Sequence, residues 1–230
     1  MTEQDPFSVG AERAFVLPNP GGKAPDAACG IAPQEAPPAY LAGAELPDVI
    51  AGSNPLVAVA NPLLNLIAQL RHLTHHPDPA QLREFLVGEV QKFEARAKGS
   101  SISHENIIGA RYCLCTVLDE TAAQTPWGGS GVWSKHSLLV TFHNETWGGE
   151  KFFQLLSKLA TNPQQHRDLL ELMYYCIALG FEGRYRIIDN GRTQLETLKQ
   201  RLVHIINTAR GEHERALSPH WRGVTQAAPK

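Results

Sequence analysis

PQQHRDLLELMYYCIALG, residues 163–180, is the stretch whose reading decides the fold. Asn162-Pro163 at its head is helix-start chemistry. The amide side chain can accept from free backbone N–H groups, and proline follows where no N–H is needed. Beyond the polar start, Leu169, Leu170, Leu172, Met173, Tyr174, Cys176, Ile177 and Leu179 leave almost no polar face. A helix that is apolar nearly all round belongs in the middle of a core. Gly180 suits its C-terminal cap. Such a helix needs amphipathic neighbours on every side.

The chain supplies them. Asn61-Pro62 reads as the start of a first helix, with Leu63, Ile67, Leu70 and Thr74 along one face and Pro77 at its end. Asp78-Pro79 repeats the same cap, and Leu82, Phe85, Leu86, Val90, Phe93 and Ala97 recur at helical spacing until Gly99. Ser103 caps a third helix with Ile107, Ile108, Leu114, Cys115, Leu118 and Ala122 facing inward, and Thr125-Pro126-Trp127-Gly128-Gly129 breaks it. A short helix from about Trp133 to Phe142 follows, then an amphipathic one from Gly149 to Leu159. A last long helix carries Leu195, Leu198, Leu202, Ile205 and Ala209. Tyr185-Arg186-Ile187-Ile188 is the only short strand candidate. The fold class is all-α, with seven or so helices joined by short loops.

Composition narrows the rest. The 230 residues are 43% hydrophobic and 19% charged, which suits one globular domain or two small ones. Net charge is −2 and the pI about 6.5, so no overall field draws nucleic acid. Residues 1–60 hold nine of the sixteen prolines and show no apolar period, which reads as a disordered or loosely docked extension. The ordered part is expected over 61–224. Cys113 and Cys115 have one residue between them, not the two of a zinc or redox motif. With Cys29 and Cys176 they read as free thiols in a reducing compartment. There is no basic-then-apolar leader and no run of 18 apolar residues.

Three motifs carry the functional question. The first is FHNETWGGEKFF, residues 142–153, with His143, Asn144, Glu145 and Glu150 around Trp147 and a glycine pair. His143 and Glu145, two apart, point to different sides of a helix and cannot by themselves converge on a metal ion. The structural reading has Thr146 capping a helix near Gly148, Trp147 buried with Phe152 and Phe153, and His143 and Asn144 satisfying backbone groups between two helices. The second motif is Asp119-Glu120, acids in the last turns of a helix and against its dipole. Each costs a few tenths of a kcal/mol there; the plain reading is a solvated helix end, and the sharper one is an acidic patch for a cation from a partner or from this chain. The third is GFEGRYR, residues 180–186, where Glu182, Arg184 and Arg186 are placed to pair with Asp119 or Glu145. Its GxxG follows a helix and lacks the lysine-serine ending of a phosphate loop.

ARYCLCTVLDE, TPWG, FHNETWGGEKFF, DLLELMYYCIALGFEGRYR and the closing LSPHWRGV together resemble the DotU/IcmH family, also called TssL, over residues 61–224. That family belongs to the bacterial type VI secretion apparatus, with a type IVB relative. The resemblance implies a helical domain of two small bundles, hook-shaped with a cleft, at the cytoplasmic side of the inner membrane. It implies a scaffold without catalysis or cofactor, and no nucleic-acid role. The partners implied are a TssM/IcmF-like membrane protein, the baseplate proteins TssK and TssE, and the TssJ lipoprotein indirectly; a homodimer is left open. Family members continue into one membrane-spanning helix, so residues 225–230 are expected to lead to an anchor not contained in this sequence. Cleft and partner candidates are Asp119, Glu120, His143, Asn144, Glu145, Trp147, Glu150, Glu182 and Arg184. The rival reading is a metal- or acid-assisted hydrolase using His143, Glu145 and Asp119.

Overall fold

A computed structural model describes residues 54–74, 78–128, 133 and 136–211, all within one compact unit. They form seven α-helices: α1 (Pro55–Leu70), α2 (Pro79–Lys98), α3 (His104–Ala123), α4 (Leu138–His143), α5 (Gly148–Leu159), α6 (Pro163–Ala178) and α7 (Gly191–Arg210). A 3-10 turn, Gly183–Arg186, stands between the last two. The described residues contain no strand. The Tyr185–Ile188 candidate enters this turn, and Ile187 is 90% exposed.

The centre is as expected from the opening stretch. Leu169, Leu170, Leu172, Met173, Cys176 and Ile177 of α6 are buried, and α6 packs on α1, α3, α5 and α7. The polar head of α6 is kinked at His166, where φ −111° and ψ 15° depart from helical values. Helix α3 is the second inner helix, buried without a break from Cys113 to Leu118. The two approach closely at Gly109, where a Cβ would come within 2.8 Å of Leu169. Ile108 does not face inward as expected; it is partly exposed. Helices α2 and α4 pack on α3, and α7 covers α6 with Leu202, Ile206 and Ala209. The apolar side chains make one contiguous core. Cys113, Cys115 and Cys176 are free thiols inside it, and burial pushes Cys176 up to about 12.

Local caps fix most boundaries. Asp78 accepts from the Ala80 and Gln81 amides at 3.0 Å, Ser103 accepts from Asn106, and Gly99 ends α2, all as the sequence indicates. The start of α1 differs. It lies at Asn54-Pro55, two helical turns before the expected Asn61-Pro62, so Pro62 sits inside the helix. An interior proline costs roughly 3 kcal/mol. Burial of Leu56 and Ala60 offsets that, and so does Asn54. Its oxygen accepts from Leu56 and Val57 at 2.9 and 3.1 Å, while its Nδ2 donates to Glu171 Oε2 at 2.9 Å and to the Asp168 carbonyl at 3.0 Å. Residues 54–60 therefore belong to the helical body. The remainder of the expected extension, residues 1–53, and the closing LSPHWRGV lie outside the described residues.

Asn54→Ala removes a helix cap and a buried bond to a carboxylate together. It should lower unfolding free energy by roughly 2–4 kcal/mol in urea denaturation. A silent substitution would place Asn54 in the extension and restore Asn61 as the start.

Candidate functional site

The last turns of α3 carry both acids of the second motif, and both are answered by backbone. Asp119 is half-buried beside the start of α4. Leu138 N and Leu139 N each donate to its carboxylate at 2.8 Å, and Trp133 Nε1 donates at 3.1 Å. Glu120 accepts from Glu182 N at 2.8 Å and Gly183 N at 2.9 Å. Among the described residues no ion pair answers either acid, and neither is simply a solvated helix end. Asp119 instead occupies the positive end of α4, which its own helix denies it. Burial pushes both carboxyls above the ordinary carboxylate range, while the amides that bond them pull the other way.

The FHNETWGGEKFF stretch lies between these two anchored segments. Helix α4 ends at His143, and Asn144 reverses the chain in the left-handed region with φ 52°. Helix α5 starts at Gly148 without a side-chain cap, so Thr146 does not have the expected role. The glycine pair sits in close contact, closest at Gly148. A Cβ on Gly148 would meet Thr116 of α3 at 2.6 Å, and one on Gly149 would meet Gly183 Cα at 3.3 Å. Phe152 and Phe153 then pack on Phe181, with centroids at 4.5 and 5.7 Å, and Phe153 meets Tyr185 edge-on at 4.8 Å. The Arg184 guanidinium lies over Phe153 and Tyr185 at 5.4 and 5.2 Å and bonds Glu150 at 3.1 Å. Its expected partners Asp119 and Glu145 are engaged elsewhere. Glu182 faces Arg192 at 3.7 Å.

Trp147 corrects the largest sequence expectation. It is 79% exposed, not buried with Phe152 and Phe153. The backbone after it is held on both sides by the glycine contacts, and the side chain is left over the surface.

His143 belongs to a network absent from the sequence reading. Arg111 of α3 donates from Nε to His143 Nε2 at 3.3 Å, pairs with Glu94 of α2 at 2.6 Å and reaches the Phe142 carbonyl at 3.4 Å. Burial first, and Arg111 next, lower the His143 pKa. Tyr112 meets its ring edge-on at 5.2 Å, and Glu145 pairs with Lys151 at 2.8 Å. Arg111 carried a signal: it stands four residues after Ile107 and three before Leu114, on the face read as inward. A cation there needs a partner.

The structure thus joins Glu120 to the Glu182-Gly183 backbone and Glu150 to Arg184. It does not assemble His143, Glu145 and Asp119 into one centre. The His143 Nε2 lone pair is taken by Arg111, and the Asp119 carboxylate by three donors. Among the described residues no three His, Cys, Asp or Glu side chains are grouped to hold a metal ion. The arrangement is a fixed platform that presents Trp147, Glu150 and Arg184.

Comparison with known proteins agrees with the resemblance in the motifs. The family model of the type VI secretion system protein DotU matches residues 55–230. Among solved structures, TssL from Vibrio cholerae is 34% identical, with TM-score 0.63, covering 69% of this chain and 99% of that one. The cytoplasmic domain of TssL from Acinetobacter baumannii is 28% identical, with TM-score 0.62, covering 67% and 98%. SciP/TssL from enteroaggregative Escherichia coli 042, at 19% identity and TM-score 0.54, shares the fold, covering 76% and 94%. A search of curated proteins finds no match.

Asp119→Ala leaves three buried donors without an acceptor and should cost about 3–5 kcal/mol in chemical denaturation. The pH dependence has a definite sign. With its pKa raised in the folded state, Asp119 takes its proton there before it does in the unfolded chain. Wild type should therefore gain stability relative to Asp119→Asn as pH falls from neutrality through the raised value towards the ordinary carboxylate range. A gap that moves the opposite way means the three donors outweigh burial.

Proposed function

The chain belongs to the DotU family of type VI secretion system proteins, and from that membership we propose that it is a non-catalytic docking scaffold at the cytoplasmic face of the inner membrane. Its neighbours there are a TssM/IcmF-like membrane protein, with TssJ reached through it, and the baseplate proteins TssK and TssE on the cytoplasmic side. Exposure of Trp147 on a fixed backbone is the observation that carries this reading. Tryptophan is among the residues most often found as interface anchors, and an anchor already held in place loses little entropy on binding. The anchor stands at the head of α5, three residues before Glu150, whose partner Arg184 is stacked on two rings. An aromatic with charged groups beside it has the composition of an interface centre and its rim. The carboxylates and histidine that a hydrolase would need are consumed by structural bonds, which favours docking over catalysis. No described helix is long and apolar enough to cross a membrane.

Capture of the purified chain by immobilised TssK, TssE and the cytoplasmic part of the TssM-like protein tests the role. At least one should retain it. Trp147→Ala should weaken that contact by about 30-fold, the effect of losing a 2 kcal/mol anchor. Its unfolding free energy should stay within about 0.5 kcal/mol of wild type, as for an exposed side chain. If no partner retains the chain, or the variant binds as wild type does, Trp147 docking fails.

A further inference from the structure

A second surface feature is independent of Trp147. A cavity of about 580 Å³ opens between the 3-10 turn and the first turn of α7. Arg71, Arg186 and Arg192 line it, together with Tyr185, Ile188 and one acid, Glu182. The three arginines come from three separate segments: the end of α1, the end of the 3-10 turn and the start of α7. Among the described residues the Glu182 carboxylate pairs with Arg192 at 3.7 Å, Arg192 is 94% exposed, and Glu120 behind the turn is attracted by Arg186, so three guanidinium groups face two carboxylates. Positive charge is therefore in excess on this surface, although the chain as a whole carries net −2.

Two glycines build the cavity. A Cβ at Gly180 would fall 1.2 Å from Arg71 Nη1, so the guanidinium occupies the volume that a side chain there would take. It donates to the Leu179 carbonyl at the C-terminal end of α6, which fixes its place. Gly180 also has φ +102°, a conformation that suits glycine. A Cβ at Gly191 would fall 1.8 Å from the Tyr185 carbonyl oxygen, so only glycine lets α7 start against the turn. Arg192, the next residue, lines the same cavity as Arg186. The first turn of α7 has no acidic residue and no side-chain cap, which leaves its positive dipole end unopposed.

We propose that this cavity is a docking pocket for an acidic segment of a protein partner, taking one or two carboxylate side chains between the arginines. Guanidinium forks match carboxylates in bidentate geometry. The partly exposed Ile188 and the Tyr185 ring give the wall an apolar part, which an acidic peptide with an interspersed leucine can use and a free anion cannot. The proposal rests on the docking role only in taking the ligand to be a protein segment. Its test uses a synthetic peptide, so its outcome is separate from that of Trp147.

The probe is a fluorescein-labelled twelve-residue peptide of repeated Glu-Glu-Leu-Glu, titrated by anisotropy against the full chain. The same peptide with Gln for Glu and inorganic phosphate are run beside it. The acidic peptide should bind, and added salt should weaken it. Arg186→Gln with Arg192→Gln should weaken it about tenfold, the loss of two partly exposed charge pairs. Arg201→Gln, an exposed arginine of α7 outside the pocket, should leave it unchanged. The two pocket arginines are exposed, so the double variant should unfold at the wild-type midpoint. Absence of binding overturns the proposal. So do equal binding by the Gln peptide, equal loss with Arg201→Gln, and an unchanged affinity in the double variant. Displacement of the peptide by equimolar phosphate overturns it in favour of a simple oxyanion site.

Discussion

Backbone N–H groups at the start of a helix or turn must find acceptors when they are buried, and in this molecule one turn of α3 supplies them to two segments. Asp119 and Glu120 are successive residues, about 100° apart round the helix, so they address different neighbours. Asp119 receives the first amides of α4, and Glu120 those of the turn after α6. Each acid stands at the unfavourable end of its own helix and meets partial positive charge from another segment. The arrangement fixes α4 and the 181–186 turn relative to α3. Helix α5 is then confined between them, with Gly148 on Thr116 and Gly149 on Gly183. Trp147 immediately precedes those two contacts and is left exposed. A bulkier residue at either glycine would move the tryptophan as well as the helix.

A second bond set does the same for the outer helices. Glu171, buried in the middle of α6, accepts from Asn54 at the start of α1 and from Arg210 at the end of α7, at 2.9 and 2.5 Å. A lone buried carboxylate would be costly, and here both oxygens are engaged. Arg210 also suits the negative end of α7. The central helix thus carries one polar residue in its buried stretch, and that residue collects the two ends of the described chain.

These tie points explain what the sequence disclosed and what it withheld. Asp78 and Ser103 accept from amides two or three residues on, and the Gly99 N–H donates to carbonyls two and four residues back, so local chemistry sufficed. The apolar run in α6 likewise announced its own burial. The start of α1 was ambiguous because two Asn-Pro steps stand two turns apart on the same helix face. Glu171, 117 positions from Asn54, decides between them, and no local pattern contains it. For Asp119 and Glu120 the dipole conflict was legible, but its resolution was not, because the partners are main-chain amides that every residue possesses. Trp147 was misplaced because apolar area was equated with burial. Its position just before two glycines, at a helix start without a cap, puts it on a turn whose close contacts are made by backbone.

Separation of the holding residues from the presented ones bears on how the platform works. Gly148, Phe152, Phe153 and Phe181 are buried and Asp119 is half-buried, and their bonds and contacts determine position. Trp147 contributes almost nothing to the core, and the exposed Glu150–Arg184 pair adds little stability by itself. The Arg184 guanidinium is nonetheless oriented by the two rings beneath it, which are themselves packed on Phe181 or its neighbours. A surface built this way can change the residues it presents without losing the fold. Changes at Asp119 or Gly148 act on the bonds and contacts that hold the surface in place. The constraint runs from the amides of two segments, through two carboxylates on one helix, to one exposed indole.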